Sequence, residues 1–406
     1  ASASADGRFE YSGATEITRG ELELASRNHI TGTSSLTVGA TDTAHKLARF
    51  TLKGTATVNG DVVLGQDAVS TSSNEIVLDG AILKARNIVR GNTTSMDNSV
   101  VLEAKNAARV IITQDGTLLD SLNTEGANQD RVYLGEGGAV VDVLEGVTAT
   151  QYASARLSTR QKDPVTGDPV SVTGSDLIKD GKGTLMLTAK NDFTGRIMIH
   201  DGVLALGAGG HAADSALGGD PAADITFVET APNASDPDRV SVNPDPKPVF
   251  AVNFSDTYNL AQKLTDENDA VSGSFVNRGT GTTVLTAAND YKGDTVVEHG
   301  TVQVGDYTLS AGEAKLGGQG VIELQNTDAT LRYALAGDET VSRKITGAGM
   351  LSQDSASGGT LRLTGENDFS GDVEIRSGTL EVSSLSALGR GTNVVFGSKL
   401  SQKRAL

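Results

Sequence analysis

Gly183 opens the stretch GTLMLTAKNDFTG, which closes at Gly195 and returns as GTTVLTAANDYKG from Gly281 and as GTLRLTGENDFSG from Gly359. A phrase written three times, with insertions of different length between the copies, constrains the chain to a repeat architecture in which each copy builds one unit of a stack. Aligned on their Leu-Thr, the copies share Asn191, Asn289 and Asn367, then Asp192, Asp290 and Asp368. An aromatic follows at Phe193, Tyr291 and Phe369. Glycine stands at Gly195, Gly293 and Gly371, and again at Gly202, Gly300 and Gly378.

Within one copy the apolar residues alternate in pairs: Leu185 and Leu187, Ile197 and Ile199, Leu204 and Leu206. Each pair predicts a short strand with alternate side chains facing one way. The residues between the pairs are Asn, Asp and Gly, which suit turns because glycine tolerates positive φ and Asn and Asp bond their own backbone. The unit is strand, turn, strand, turn, strand over roughly two dozen residues. Asp201-Gly202 would ordinarily signal an antiparallel hairpin. The matching positions read His299-Gly300 and Ser377-Gly378, however, and His or Ser suits the first position of a type I′ turn poorly. One glycine is enough to bend the chain between strands that do not pair with each other. The three strands then form three sides of one coil, each pairing with the coil above and below, which is a parallel β-helix. With 48 glycines in 406 residues and only 4% aromatics, the composition suits many short strands joined by turns.

The stretches LIKDGKGTLMLTAKNDFTGRIMIHDGVLALG (177–207), GTGTTVLTAANDYKGDTVVEHGTVQVG (279–305) and GGTLRLTGENDFSGDVEIRSGTLEVSSLSALG (358–389) resemble the passenger-associated repeat of bacterial autotransporters. Ala216-Leu217-Gly218 and Ala387-Leu388-Gly389 match that family's later A-L-G. The middle copy departs with Lys315-Leu316-Gly317, with Thr283 where the others have leucine, and with Thr295 in place of Ile197 and Val373. ITGAGMLSQDSASGG (345–359) extends the likeness more loosely. The first 170 residues share only its texture, in GTATVNGDVVLG, SNEIVLDGAILKA and RVYLGEGGAVVDV.

The resemblance implies an all-β, right-handed parallel β-helix with protruding loops, taken here as one elongated body over 1–406. It also implies export through the periplasm and outer membrane of a Gram-negative bacterium to the cell surface, where a C-terminal β-barrel anchors the protein. Neither ASASADGRFEYSG, which reads like a mature end after signal removal, nor the final GSKLSQKRAL supplies barrel strands, so a passenger or a piece of one is expected. The absence of cysteine fits a chain that crosses the outer membrane unfolded.

Several chemistries find no support. A net charge of −17 repels a phosphate backbone or an anionic membrane surface, and no run approaches the roughly 20 apolar residues of a membrane span. Neither nucleic acid nor membrane insertion of this segment is expected. His29, His45, His200, His211 and His299 lack metal-ligand spacing, and His200 and His299 read as solvated turn residues. No calcium-loop or serine-protease motif occurs, so no metal, cofactor or catalytic residue is predicted. A polysaccharide-cleaving β-helix would need clustered carboxylates and aromatic platforms, whereas the acids here follow the turns and there is no tryptophan.

The repeated residues themselves read as structural. Asn191, Asn289 and Asn367 should satisfy buried turn backbone, the three aromatics should cap the core at a corner, and Gly195, Gly293 and Gly371 should take conformations other residues resist. Six of the eight prolines lie between Pro221 and Pro248, so 221–248 is predicted to be a loop or arm leaving the helix, with 158–172 a shorter candidate. Asp236, Asp238, Arg239, Asp245 and Lys247 give that arm mixed charge and are the candidate binding residues. The expected function is non-enzymatic adhesion, bacterial self-association or biofilm formation. The partner would be the protein itself on neighbouring cells, or a host extracellular-matrix protein or surface glycan. The alternatives are a polysaccharide-acting enzyme and a passive stalk.

Overall fold

The computed structural model describes residues 8–25, 28–91, 99–118, 131–153, 155–159, 172, 174–229, 246–355, 357–390 and 393–397. These residues form short strands and two 3-10 turns, with no α-helix among them. Their backbone contacts divide into two compact units. The first takes in Ala1–Leu204 and Asp214–Asp220; the second takes in Ala205–Ala213, Pro221–Glu229 and Lys247–Leu406.

In the first unit every strand pairs in parallel with strands of the neighbouring coils. One sheet runs from Arg8–Glu10 through His29–Thr33, Thr55–Val58, Ile82–Ala85, Ala108–Ile112, Ala139–Val143 and Leu177–Asp180 to Ile197–Ile199. A second runs from Gly20–Leu24 through Leu47–Leu52, Ser73–Asp79, Ser99–Lys105 and Arg131–Leu134 to Leu157–Thr159. Alternation sends every other residue inward, and register stacks like on like: Phe50 lies over Ile76 and Leu52 over Leu78, all fully buried. Each such side chain removed from water contributes about 1.5–3 kcal/mol before entropy is counted. One coil takes 20 residues between Asp180 and His200 and 30 between Asn87 and Thr117, the difference lying in the turns. The described part of the first 170 residues, which share only the texture of the repeat, is thus built in the same way as the repeats.

The second unit repeats the scheme. Thr257–Leu260, Thr282–Leu285, Thr301–Val304, Thr330–Tyr333, Met350–Asp354, Val373–Ser377 and Val394–Phe396 form one parallel sheet. Phe250 stacks on Phe275 with ring centroids 6.5 Å apart, and Phe227 meets Tyr291 edge to face at 6.4 Å. Within the proline-rich stretch, Ile225–Phe227 is a strand paired with Leu264–Asp266, and Ile225 and Phe227 are buried. The predicted arm therefore includes a piece of core. Residues 230–245 and 160–171 lie outside the described residues.

Two expectations about the repeat are corrected. The first and third strands of a copy are not two sides of one coil. Thr282–Leu285 pairs directly with Thr301–Val304, and Thr360–Leu363 with Thr379–Val382, so the third strand lies on the same side one coil later. The written phrase therefore spans slightly more than one turn of the helix. The second correction concerns Gly195, Gly293 and Gly371, none of which has positive φ. They are glycines because the preceding coil comes too close. A Cβ on them would run into the carbonyl oxygens of Ser175, Gly273 and Gly349 respectively. Left-handed geometry belongs instead to Gly202, Gly300 and Gly378, at φ of +63°, +65° and +82°, as the single-glycine bend predicts.

Gly293→Ala is expected to destabilise the second unit by about 1–3 kcal/mol, since backbone rather than a flexible side chain would have to move. Gly318→Ala, where nothing lies within 4 Å, should leave stability unchanged. Urea unfolding followed by far-UV circular dichroism separates the two.

Candidate functional site

The repeated asparagines do one job in all three copies. The Asn191 Oδ1 accepts from the Leu157 amide at 2.9 Å and its Nδ2 donates to the Ala216 carbonyl at 2.9 Å. Asn289 accepts from Leu264 at 2.8 Å and donates to Lys315 at 2.8 Å. Asn367 accepts from Ile345 at 2.7 Å and donates to Ala387 at 2.6 Å. Each acceptor bond reaches the first residue of a strand in the preceding coil, and each donor bond reaches the coil that follows. On this side of the helix the backbone makes only a single parallel bridge, Lys190 with Ala216 and Ala288 with Lys315, and the side-chain amide adds to it. All three asparagines are buried. The A-L-G alanine contributes its backbone, accepting through its carbonyl and donating through its amide, to Ala189 from Ala216 and to Ala287 from Lys315, which is why Lys315 can replace it. The glycine of that element gives room for the aromatic: a Cβ on Gly218, Gly317 or Gly389 would strike the ring of Phe193, Tyr291 or Phe369.

The departures of the middle copy compensate one another. Tyr291, buried, adds a hydroxyl, and Thr295 meets its oxygen at 2.7 Å. Thr283 donates to the Asn277 Oδ1 at 2.7 Å, which leaves the Asn277 Nδ2 for the carbonyls of Gly279 and His299, at 3.0 and 2.7 Å. The position of Asn277 is held in the other copies by Lys179 and Gln353, all three buried. The Lys179 ammonium donates to the carbonyls of Asp180, Gly181 and Asp201 at 2.6, 2.6 and 3.0 Å, and the Gln353 amide to Gly359 at 2.9 Å. Three different side chains thus satisfy carbonyls at the same bend.

Lys179 opens onto a buried ionic cluster in the first unit. Arg109, 1% exposed, donates from one nitrogen to Asp142 at 2.9 Å and to Asp180 at 2.6 Å. The other Asp180 oxygen takes a hydrogen bond from the His200 Nδ1 at 2.6 Å and from the Gly181 amide at 2.8 Å. Burial pushes the Asp180 carboxyl up, but His200 and Arg109 outweigh it and hold the group well below the usual carboxylate range. Burial, with Asp180 beside it, raises Asp142 despite Arg109. Burial pulls the Lys179 ammonium down to about 8 against the pull of Asp180, Asp142 and Asp201. A recess of about 270 Å³ beside the cluster is lined by Asp142, Leu144, Glu145, Asp180, Gly181, Lys182 and Asp201. Both Asp180 oxygens are already engaged, so the cluster acts as a fastening between coils. Among the described residues no group of three or more His, Cys, Asp or Glu is placed to hold a metal ion.

This cluster corrects two sequence readings. His200 is 3% exposed rather than solvated, whereas His299 sits at the surface beside Asp328 at 3.0 Å. Nor do all the acids follow the turns: Asp142, Asp180, Glu75, Glu103 and Glu374 are buried within strands. The missed signal was a charge inside an apolar strand, in ARVII, AVVDV and LIKD. Of the candidate binding residues, Asp236, Asp238, Arg239 and Asp245 lie outside the described residues, and Lys247 is exposed at the foot of the strand Val249–Val252.

A model of the passenger-associated-transport-repeat matches residues 177–206, 275–304 and 356–382. No significant match was found among curated proteins or among solved structures.

Asn289→Leu removes both side-chain clamps at once: the buried Leu264 amide loses its partner, while the Lys315 carbonyl keeps the backbone amide of residue 289 at 3.2 Å. A loss of about 1–3 kcal/mol is expected, most of it from the Leu264 amide, read as a lower urea midpoint with the strand signal retained. Lys179→Gln, which borrows the residue of the third copy, should hold stability within about 1 kcal/mol, while Lys179→Met should cost about 2 kcal/mol. Folding lowers the proton affinity of Lys179, so between pH 8 and its ordinary value of 10.5 the unfolded chain binds more protons. The contribution of Lys179 therefore makes stability rise with pH across that window. A pH series of unfolding midpoints should lose this rise in Lys179→Gln.

Proposed function

The three repeats make this chain an autotransporter passenger domain, secreted and surface-exposed, and from that premise we propose that it is a non-enzymatic adhesive passenger. Its route would run through the periplasm and outer membrane. Its partners would be a second copy on a neighbouring cell, or a host matrix protein or surface glycan. The observation that carries this reading is the interleaving of opposite charges on outward positions, coil by coil. Arg49 lies between Glu21 at 3.6 Å and Glu75 at 2.8 Å, one strand on either side. Lys53 meets Glu23 at 3.0 Å and Arg86 meets Asp61 at 3.1 Å. In the second unit Lys344 pairs with Asp368 at 2.8 Å and Arg362 with Glu381 at 2.9 Å.

Glu75 is buried, but the other pairs are half-exposed or exposed; such pairs contribute little to stability, so they exchange partners with a second surface at small cost. A net charge of −17 opposes the approach of two copies, yet interleaved strips offset by one coil bring opposite charges together. Many such contacts sum through multivalency, and salt screens them. A polysaccharide-acting enzyme remains the second reading, and one observation favours it. Burial, partly offset by Lys315, pushes the Glu339 carboxyl up to about 7, a value suited to a general acid.

Cells displaying this passenger should settle faster than cells displaying an unrelated β-helix, and the difference should fade as salt is raised. Equal settling at every salt concentration would set self-association aside. Removing 230–245, which spares the strand Ile225–Phe227, should weaken adhesion if the arm contributes and change nothing if the chain is a passive stalk. Turnover of a polysaccharide that disappears in Glu339→Gln would favour the enzyme.

A further inference from the structure

The middle copy breaks the pattern of the first once more, and in a way that packing does not explain. After its last strand the first copy runs Gly207-Ala208-Gly209, with φ of +82° and +89° at the two glycines. The middle copy runs Gly305-Asp306-Tyr307, with φ of +81° and +74° at the corresponding positions. A tyrosine therefore holds a left-handed backbone that the first copy leaves to glycine. Such a conformation in a bulky residue is strained and persists only where the surroundings hold it. They do so here. The Tyr307 amide donates to the Ala334 carbonyl at 2.6 Å, and the Asp306 carboxylate accepts from the amide and hydroxyl of Thr308, at 3.0 and 2.7 Å. The ring is 38% exposed, so the strain does not serve to bury it.

What the ring lies beside is a polar column that alternates with the core-facing residues of the second unit's sheet, with Gln303, Ser352 and Glu374 buried and Arg332 half-buried. Gln303, Arg332, Ser352 and Glu374 follow one another in register on four successive strands. The Tyr307 hydroxyl donates to Asp354 at 3.2 Å, and the charges of Arg332 and Arg376 both reach it. Arg332 donates to Gln303 at 3.3 Å, yet its Nε is buried without a hydrogen-bond partner. Arg376 is held by Glu374 at 2.7 Å, and Ser352 donates to the same carboxylate oxygen at 3.3 Å.

A part-exposed aromatic face beside guanidinium donors and carboxylate acceptors matches the chemistry of a sugar ring. The apolar C–H face of a pyranose covers the tyrosine, and its hydroxyls donate to carboxylates and accept from arginine. Two arginines disfavour a cation, and two carboxylates disfavour a polyanion such as a sulfated chain. We propose that Tyr307, Arg332 and Asp354 form a saccharide-binding subsite that takes one neutral or singly acidic pyranose of a surface glycan against the Tyr307 ring. This deepens the adhesive reading and rests on it.

The test uses the purified chain on an array of neutral, sialic acid-terminated and sulfated oligosaccharides. Neutral or singly acidic glycans should be retained and sulfated ones should not. Tyr307→Gly restores the residue that the first copy uses at this φ, so its thermal midpoint should hold or rise while binding falls by roughly tenfold or more. Arg332→Gln should lose binding to a similar degree with the fold intact. The proposal is overturned if no saccharide binds, if sulfated chains bind best, or if Tyr307→Gly binds like the wild type. A lowered midpoint in Tyr307→Gly would make the tyrosine a packing group and would equally sink it. Salt-sensitive settling of cells without any saccharide binding would remove the subsite and leave the adhesive reading standing. Tyr307-dependent binding by a chain whose cells neither settle nor adhere would do the reverse.

Discussion

Every described strand finds its hydrogen-bonding partner one coil away, so each residue is stacked on a counterpart of the same facing. An apolar column then builds itself, as Phe50 over Ile76 does. A polar group turned inward has no water to fall back on and must be answered by the coil before or after it. The asparagine clamps, the capped carbonyls at the bends and the Arg109 cluster are three answers to that one demand. Each ties coils together through side chains, the asparagines beside a single backbone bridge and Arg109 alongside the ladder itself.

This is also why so much of the architecture could be read from the residues. Asn191, the aromatic two positions on and the two glycines recur because backbone geometry imposes them, and repetition in sequence reports repetition in space. The strand pairs and the single-glycine bend at Gly202 were legible for that reason. The role of Gly195 was not, because close approach by another coil leaves no mark distinct from a left-handed turn. The number of strands per coil was misjudged for a related cause. A phrase longer than its period repeats the first side before it ends, and alternation alone does not reveal where the coil closes.

Buried charge was the harder part to foresee. Arg109 and Asp142 lie in different coils, 33 residues apart, and only stacking brings them together. Their trace in the sequence was a charged letter within an apolar strand. Tyr307 was hidden differently: only comparison with Gly209 at the same φ makes the residue anomalous. The copies serve as controls for one another, so a departure that is compensated nearby, as at Tyr291 with Thr295, is distinguished from one that is not.

The clamp has a consequence for how such a chain can change in length. Each asparagine reaches one coil back and one coil forward, so the side chains keep a kind of reading frame along the stack. Gain or loss of a whole coil leaves every clamp matched, because the newcomer offers the same amide and the same carbonyl. A fraction of a coil would throw all later clamps out of phase at once. Turn lengths are under no such rule, and they are free to drift by single residues while the coil count moves only in whole steps.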